Sequence, residues 1–548
     1  MNMQLKYNCL AVATISLLLT LDVVSKAQAA PPFIFALRRT EPVTTLDYID
    51  AQFTENLVVE AEIMEGLVGF DPQNEHLIVP RLAKSYHRID LYTYVFRLRD
   101  DVYFHSHLHG LKTLQAERVT PEDVVFSLLR AENSPSAQQY KLDNVESITT
   151  VGKDLVKIKL IKPDEDFLSR LATAMGHVTC KGYYESLGSD DASRKGAFAR
   201  APVGTGPFYL ARPLGDGRSI ILLCFDLYRD QDWVKSQTAI KRIEYRYYGS
   251  AADIFAGLDR GEIGGASLML SAFGEGGFLD TKIPPRFGGV YRLAPPFLSL
   301  LAINLTKPEL ADPFARKLLN AAVDKTKIEQ ICPHGSAELP DGYRYYLEIS
   351  KYYAQAKQAS VSELLRSPEA QKRLRALQSR GPLIFFVRAG DDATRDRIAA
   401  SIAYDLKKGL QLDVRIVKAE QFSSELDRSK PSYDLVYADW TPDTPGEREG
   451  LSILYPLFYS KNRTNISHYS DPEVDRIFAK LQGIVDKGTA ESLYKRIQAR
   501  LLENPPHIWL PSVRSNTLLY GRGYRSKIRP SSLVYYSCFL KHAERLVK

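Results

Sequence analysis

From Tyr92 to Arg99 apolar and polar side chains alternate, and Leu155-Val156-Lys157-Ile158-Lys159-Leu160 repeats the alternation. A period of two is what a strand with one buried face requires, so both segments are predicted as strands. Between them lies a helix start: Thr120 can cap, Pro121 carries the preset φ of the first helical position, and Glu122 and Asp123 stand where the helix dipole favours negative charge. Asp312-Pro313 and Asp471-Pro472-Glu473 repeat this signal. After the latter, Val474, Ile477, Phe478 and Leu481 fall on one face at helical spacing. Alternating strands and amphipathic helices, with no internal repeat, predict an α/β protein in which surface helices pack on sheets.

The stretch from 383 to 443 sharpens this picture. Leu383 to Arg388 reads as a buried strand, Thr394 to Leu410 as a helix, Leu412 to Val417 as a strand, Gln421 to Arg428 as a short helix and Tyr433 to Trp440 as a strand. Strands joined through such crossovers run parallel, and ligands of parallel sheets sit beyond the carboxyl ends of the strands. Here those ends are Arg388-Ala389-Gly390-Asp391 and Trp440-Thr441-Pro442-Asp443. A guanidinium and a carboxylate therefore emerge on the same rim.

Composition sets the limits. The 548 residues, 45% hydrophobic, suffice for two or three packed domains, and a formal charge of +7 over this length is too dilute for a nucleic-acid surface. Residues 1–29 have the pattern of a secretory signal: Lys6, an apolar run from Leu10 to Leu21, then Ala27-Gln28-Ala29. That run is too short to cross a hydrocarbon core of about 30 Å. The mature chain is expected to begin at Ala30 with +6 remaining once Lys6, Lys26 and Asp22 are gone. Cys9 precedes the apolar run, so it is badly placed for lipidation, and a soluble exported protein is the expectation. Cys180, Cys224, Cys332 and Cys538 remain; three complete pairings are possible, and no C-x-x-C occurs.

Several segments, in order, are similar to one family. They are Glu65-Gly66-Leu67-Val68, the run Tyr94 to His105, Thr120-Pro121-Glu122-Asp123-Val124-Val125-Phe126-Ser127, Pro202-Val203-Gly204-Thr205-Gly206-Pro207-Phe208, the run Arg316 to Lys325, and Trp440-Thr441-Pro442-Asp443. The chain resembles the periplasmic solute-binding proteins of peptide and nickel ABC importers, the dipeptide- and oligopeptide-binding group. The resemblance implies an α/β periplasmic-binding-protein fold of two lobes joined by a hinge, with a third domain inserted in lobe one. Lobe one would take 30–70, 205–297 and 515–548, the inserted domain 71–204, and lobe two 298–514. It also implies an extended peptide between the lobes, held by main-chain hydrogen bonds, and an inner-membrane ABC permease as partner. No cofactor is expected, and the chain is expected to act as a monomer.

Site residues follow from the same resemblance. Asp443, three residues after Trp440, would pair with the peptide's α-ammonium group, and Arg388 would hold its carboxylate through a bidentate bond. Phe53-Thr54-Glu55 would fall in a lobe-one loop facing the cleft, which makes Thr54 and Glu55 further candidates. The sequence departs from the family where Asp439 replaces the Gly that commonly precedes the Trp, in Thr444-Pro445-Gly446-Glu447-Arg448, and in Cys332-Pro333-His334-Gly335. A nickel chelate, haem or murein peptide is the alternative ligand on this fold. A peptide hydrolase or a periplasmic chaperone are rivals of another class. His105, His107 and His109 would share one face of a strand and are the metal candidates, although His105 belongs to the Phe-His segment of the resemblance and Gly110 points to a turn. No nucleophile elbow, H-E-x-x-H, Walker loop or G-x-G-x-x-G is found.

Overall fold

The computed structural model describes residues 31–546 apart from 39–41, 51–53, 73–76, 106–116, 134–141, 143, 165–166, 216, 218, 270–287, 293–297, 332–336, 339–358, 389–392, 420–425, 427–430, 441–448, 463, 482–485, 514–515 and 529–538. The chain opens with β1 (Phe33–Arg38) and α1 (Thr54–Glu60). It continues through β2 (Ala83–Arg88), β3 (Thr93–Leu98), α2 (Pro121–Glu132), β4 (Val145–Val151) and β5 (Leu155–Leu160). Then come β6 (Phe208–Leu210), β7 (Ser219–Cys224), β8 (Arg242–Tyr248), β9 (Gly265–Met269) and β10 (Gly289–Arg292). The remainder holds β11 (Leu298–Ile303), α3 (Pro313–Ala322), β12 (Leu383–Arg388), α4 (Ala393–Leu410), β13 (Val414–Ala419), β14 (Leu435–Trp440), α5 (Pro472–Leu481), α6 (Lys487–Glu503), β15 (His507–Trp509) and β16 (Asn516–Tyr520).

Three sheets dominate. A seven-stranded sheet has the order β10-β16-β9-β1-β8-β7-β6, a five-stranded sheet the order β13-β12-β14-β11-β15, and a four-stranded sheet the order β2-β3-β5-β4. In the first, β1 runs parallel to β8 and β9 while the outer pairs are antiparallel. In the second, β12 lies parallel between β13 and β14, and β11 is antiparallel to both β14 and β15. The four-stranded sheet is antiparallel throughout.

Burial follows from this layering. β12 runs Leu-Ile-Phe-Phe-Val with both faces covered, as a parallel strand between two helical layers must be. On one face Phe385 and Val387 join Leu318 of α3 and Ile398 and Ile402 of α4. On the other, Phe386 joins Val474, Ile477, Phe478 and Leu481 of α5 and Tyr494 of α6. These four residues of α5 are the ones its spacing selects. The largest cluster runs without a break from Phe33 and Phe35 of β1 to Tyr94 and Phe96 of β3 and Val156 and Ile158 of β5, so the seven- and four-stranded sheets share one core.

Local chemistry at the helix starts matches the sequence. Thr120 Oγ1 accepts the Asp123 N–H at 3.3 Å while Asp123 Oδ2 accepts the Thr120 N–H at 2.9 Å, a reciprocal capping box. Asp312 Oδ1 accepts the Phe314 N–H at 2.8 Å, and Asp471 Oδ1 accepts the Glu473 N–H at 2.9 Å. Two strand starts shift, and the strand expected to end at Val417 runs on to Ala419. The strand expected from Leu412 starts at Val414, because Gln411 takes a left-handed φ of 55° and Leu412 N–H turns back to the Leu406 carbonyl. The strand expected from Tyr433 starts at Leu435. Of the expected helix 421–428, only Leu426 lies among the described residues, and it is helical.

Candidate ligand-binding site

The chain passes from the seven-stranded sheet to the five-stranded sheet through 293–297 and returns through 510–515. β11 enters with Leu298 opposite Trp440 and Ser299 opposite Asp439. β15 leaves with Trp509 opposite Leu300, after which the Leu510 N–H still donates to the Ser299 carbonyl at 3.0 Å. Both connections therefore depart from the edge built by the carboxyl ends of β12, β13 and β14. On the other sheet β10 ends with Arg292 opposite Thr517, and β16 begins with Asn516 opposite Met269, the last residue of β9. Since β9 and β8 run with β1, this is a carboxyl edge as well. Fully extended, the first connection reaches at most about 20 Å between its flanking residues and the second about 25 Å. The two carboxyl edges are thereby tethered to one another.

Arg388 and Trp440 close their strands on this rim. The register Phe385–Leu435 and Phe386–Val436 brings Arg388 level with Ala438, just short of Trp440, and both side chains are half-buried. The Trp440 indole Nε1 is buried and has no acceptor among the described residues. Trp233 and Trp509, by contrast, are core residues at 7% and 4% exposure. Asp443 lies outside the described residues, as do the loops 389–392 and 441–448. Thr54 and Glu55 form the first turn of α1, and their side chains lie outside the description.

One rim feature has no counterpart in the sequence reading. The Asp439 carboxylate accepts the Ser299 hydroxyl at 2.7 Å and pairs with Arg395, from the first turn of α4. Side-chain exposures of 9% for Asp439 and 16% for Arg395 put the pair mostly out of water. The signal was available in part, since an acidic residue at the end of the apolar run Leu435-Val436-Tyr437-Ala438 needs a partner. Nothing in the spacing points to Arg395 or Ser299.

His105 is removed as a metal ligand by its surroundings. Its ring is buried, Nε2 faces the Gly206 carbonyl at 3.0 Å, and Nδ1 faces the Gly204 N–H at 3.3 Å. Both nitrogens serve the turn Gly204-Thr205-Gly206-Pro207, which packs so closely on Glu62 and Ile63 that a Cβ at Gly206 would meet the Glu62 carbonyl at 2.5 Å. His107 and His109 lie outside the described residues, and no group of three or more potential metal ligands occurs among the described ones. Cys180 and Cys224 are buried free thiols, pushed up to about 12 by burial above all; Cys332 and Cys538 are not among the described residues. No described helix is long and apolar enough to cross a membrane.

Buried ion pairs join distant segments of this part of the chain. Arg229 bonds both oxygens of Glu65 at 2.5 and 2.6 Å. Burial pushes the Glu65 carboxyl up, and the guanidinium more than reverses this, so its pKa ends below the ordinary value. His177 Nδ1 meets Glu60, the last residue of α1, at 2.6 Å, and Arg130 of α2 pairs with Asp47 while lying over the rings of Tyr48, Tyr184 and Phe198.

Residues 78–464 match the family described as bacterial extracellular solute-binding proteins, family 5 Middle. Among curated relatives, the probable ABC transporter periplasmic-binding protein SapA of Escherichia coli is 24% identical over 474 residues, covering 82% of each chain. The probable di/tripeptide-binding protein 5 of Pseudomonas aeruginosa is 24% identical over 82% of this chain and 84% of its own. Among solved structures, the periplasmic binding protein DppA of Helicobacter pylori in complex with the peptide STSA superposes with a TM-score of 0.78 at 20% identity, covering 94% of this chain and 98% of that one. At that identity the superposition establishes the fold, two-lobed α/β. With more than half of its length matched, this chain belongs to the bacterial extracellular solute-binding proteins of family 5.

Proposed function

We propose that the chain captures short peptides between its two lobes and presents the closed form to the inner-membrane permease of an ABC importer. The observation that carries this is the pair of carboxyl edges tethered by two short connections, with Trp440 and Arg388 on one of them and Asp443 three residues beyond Trp440. The names of SapA and of the di/tripeptide-binding protein, and the peptide held by DppA, support it. Lobe one comprises 30–70, 205–297 and 515–548, the inserted domain 71–204 and lobe two 298–514, in keeping with the strands each sheet draws on. Residues 1–29 export the chain to the periplasm, where it acts as a monomer, without cofactor, nucleic acid or chemistry of its own.

Asp443 meets the ligand's ammonium group and Arg388 its carboxylate, with Trp440, Thr54 and Glu55 completing the walls. Closure follows because the ligand touches both lobes and so favours the closed state by its differential affinity. Calorimetric titration with di- to pentapeptides tests the reading. Acetylating the amino terminus and Asp443→Ala should each cost about 2–5 kcal/mol, and the two losses should not add. Absence of heat with every peptide, together with a nickel chelate, haem or murein peptide recovered by mass spectrometry from the native protein, would replace the peptide by that ligand.

A further inference from the structure

The ion pair beneath the rim is built from three elements. Asp439 comes from the end of β14, Arg395 from the first turn of α4, and the Ser299 hydroxyl at 2.7 Å from the start of β11. The Arg395 guanidinium also lies 5.7 Å from the centre of the Tyr437 ring, which braces it from a second side. Along β14, Tyr437 and Asp439 share one face while Trp440 turns to the other. Asp439 thus sits directly behind the rim residue, and its charge would reach a ligand through protein rather than through salt water, where screening is weak. Arg395 cancels that charge. We propose that the Arg395–Asp439 pair sets the charge preference of the cleft: by masking Asp439, Arg395 keeps the rim from favouring cationic side chains in the ligand. This rests on the peptide reading above.

The test uses calorimetry with trialanine, Ala-Lys-Ala and Ala-Glu-Ala on the full chain, with thermal melting to confirm that each variant is folded. In Arg395→Gln the carboxylate is unmasked, and the affinity ratio of the lysine peptide to the glutamate peptide should rise about fivefold or more. In Asp439→Asn the carboxylate is gone and the guanidinium charge stays, so the ratio should fall by a similar factor. The double variant should return towards the original ratio. A pair that only props the rim would weaken all three peptides alike, and a ratio unmoved in both single variants overturns the inference. If the unaltered protein binds none of the three peptides, the peptide reading itself fails and takes this inference with it.

Discussion

Glu62 is fully buried, with one carboxyl oxygen accepting the Leu540 N–H at 2.8 Å and the other without a partner among the described residues. Burial pushes its pKa up to about 8 from 4.5, with the Leu540 N–H opposing. The folded chain therefore keeps a proton that the unfolded chain releases. The stability this contributes is fully present below pH 4.5 and is lost as the pH rises towards 8, at no more than about 1.4 kcal/mol per pH unit. Glu62→Gln should flatten that decline and leave the variant more stable than the parent at pH 8. Urea denaturation at pH 5, 6.5 and 8 measures it, and an equal difference between the proteins at all three values contradicts a neutral buried carboxyl. Glu65, three residues on, shows the opposite shift because Arg229 faces it. The segment Glu65-Gly66-Leu67-Val68 was legible in the sequence, yet its partner stands 164 residues away, and no periodicity carries that information. The same holds for Asp439 and Arg395, which only the packing of α4 on β14 brings together.

Elements were more legible than partners, because each start signal acts over three or four residues. Thr120, Pro121 and Asp123 specify the beginning of α2 without help from the rest of the chain. The second oxygen of Asp123 does something the sequence does not announce: it accepts the Lys181 N–H at 2.9 Å, joining α2 to the start of the helix Lys181–Ser186. Thr120→Ala removes one cap and should cost about 1 kcal/mol. Asp123→Ala removes both functions and should cost about 1 kcal/mol more, since it strands a second N–H. The denaturant midpoints of the two variants check this ordering, and equal midpoints would show that the Lys181 bond contributes nothing. Strand starts were read two residues early at Leu412 and Tyr433, in both cases because a buried apolar side chain belongs to the connection rather than to the ladder. Asp443 was placed on the rim by the strand-end rule and given its role only by the resemblance, and it lies outside the described residues.

The α/β class was readable from the alternation of strands and helices, whereas two lobes and the interleaving of distant segments in one of them entered only with the resemblance. β1, β8 and β9 associate from opposite ends of a long insertion, and a local pattern has no term for that. At this scale the expectation concerns closure: a peptide bound to both lobes and absent from the unfolded chain should stabilise the protein by about 2.7 kcal/mol at a hundredfold excess over its Kd. Scanning calorimetry against peptide concentration measures it, and a melting temperature independent of peptide rules out capture of that peptide by the folded state. The position of β16 between β9 and β10 has a further meaning. Among the described strands β10 pairs with β16 alone, so removing Asn516–Tyr520 would detach β10 from the sheet and leave β9 bare along one side.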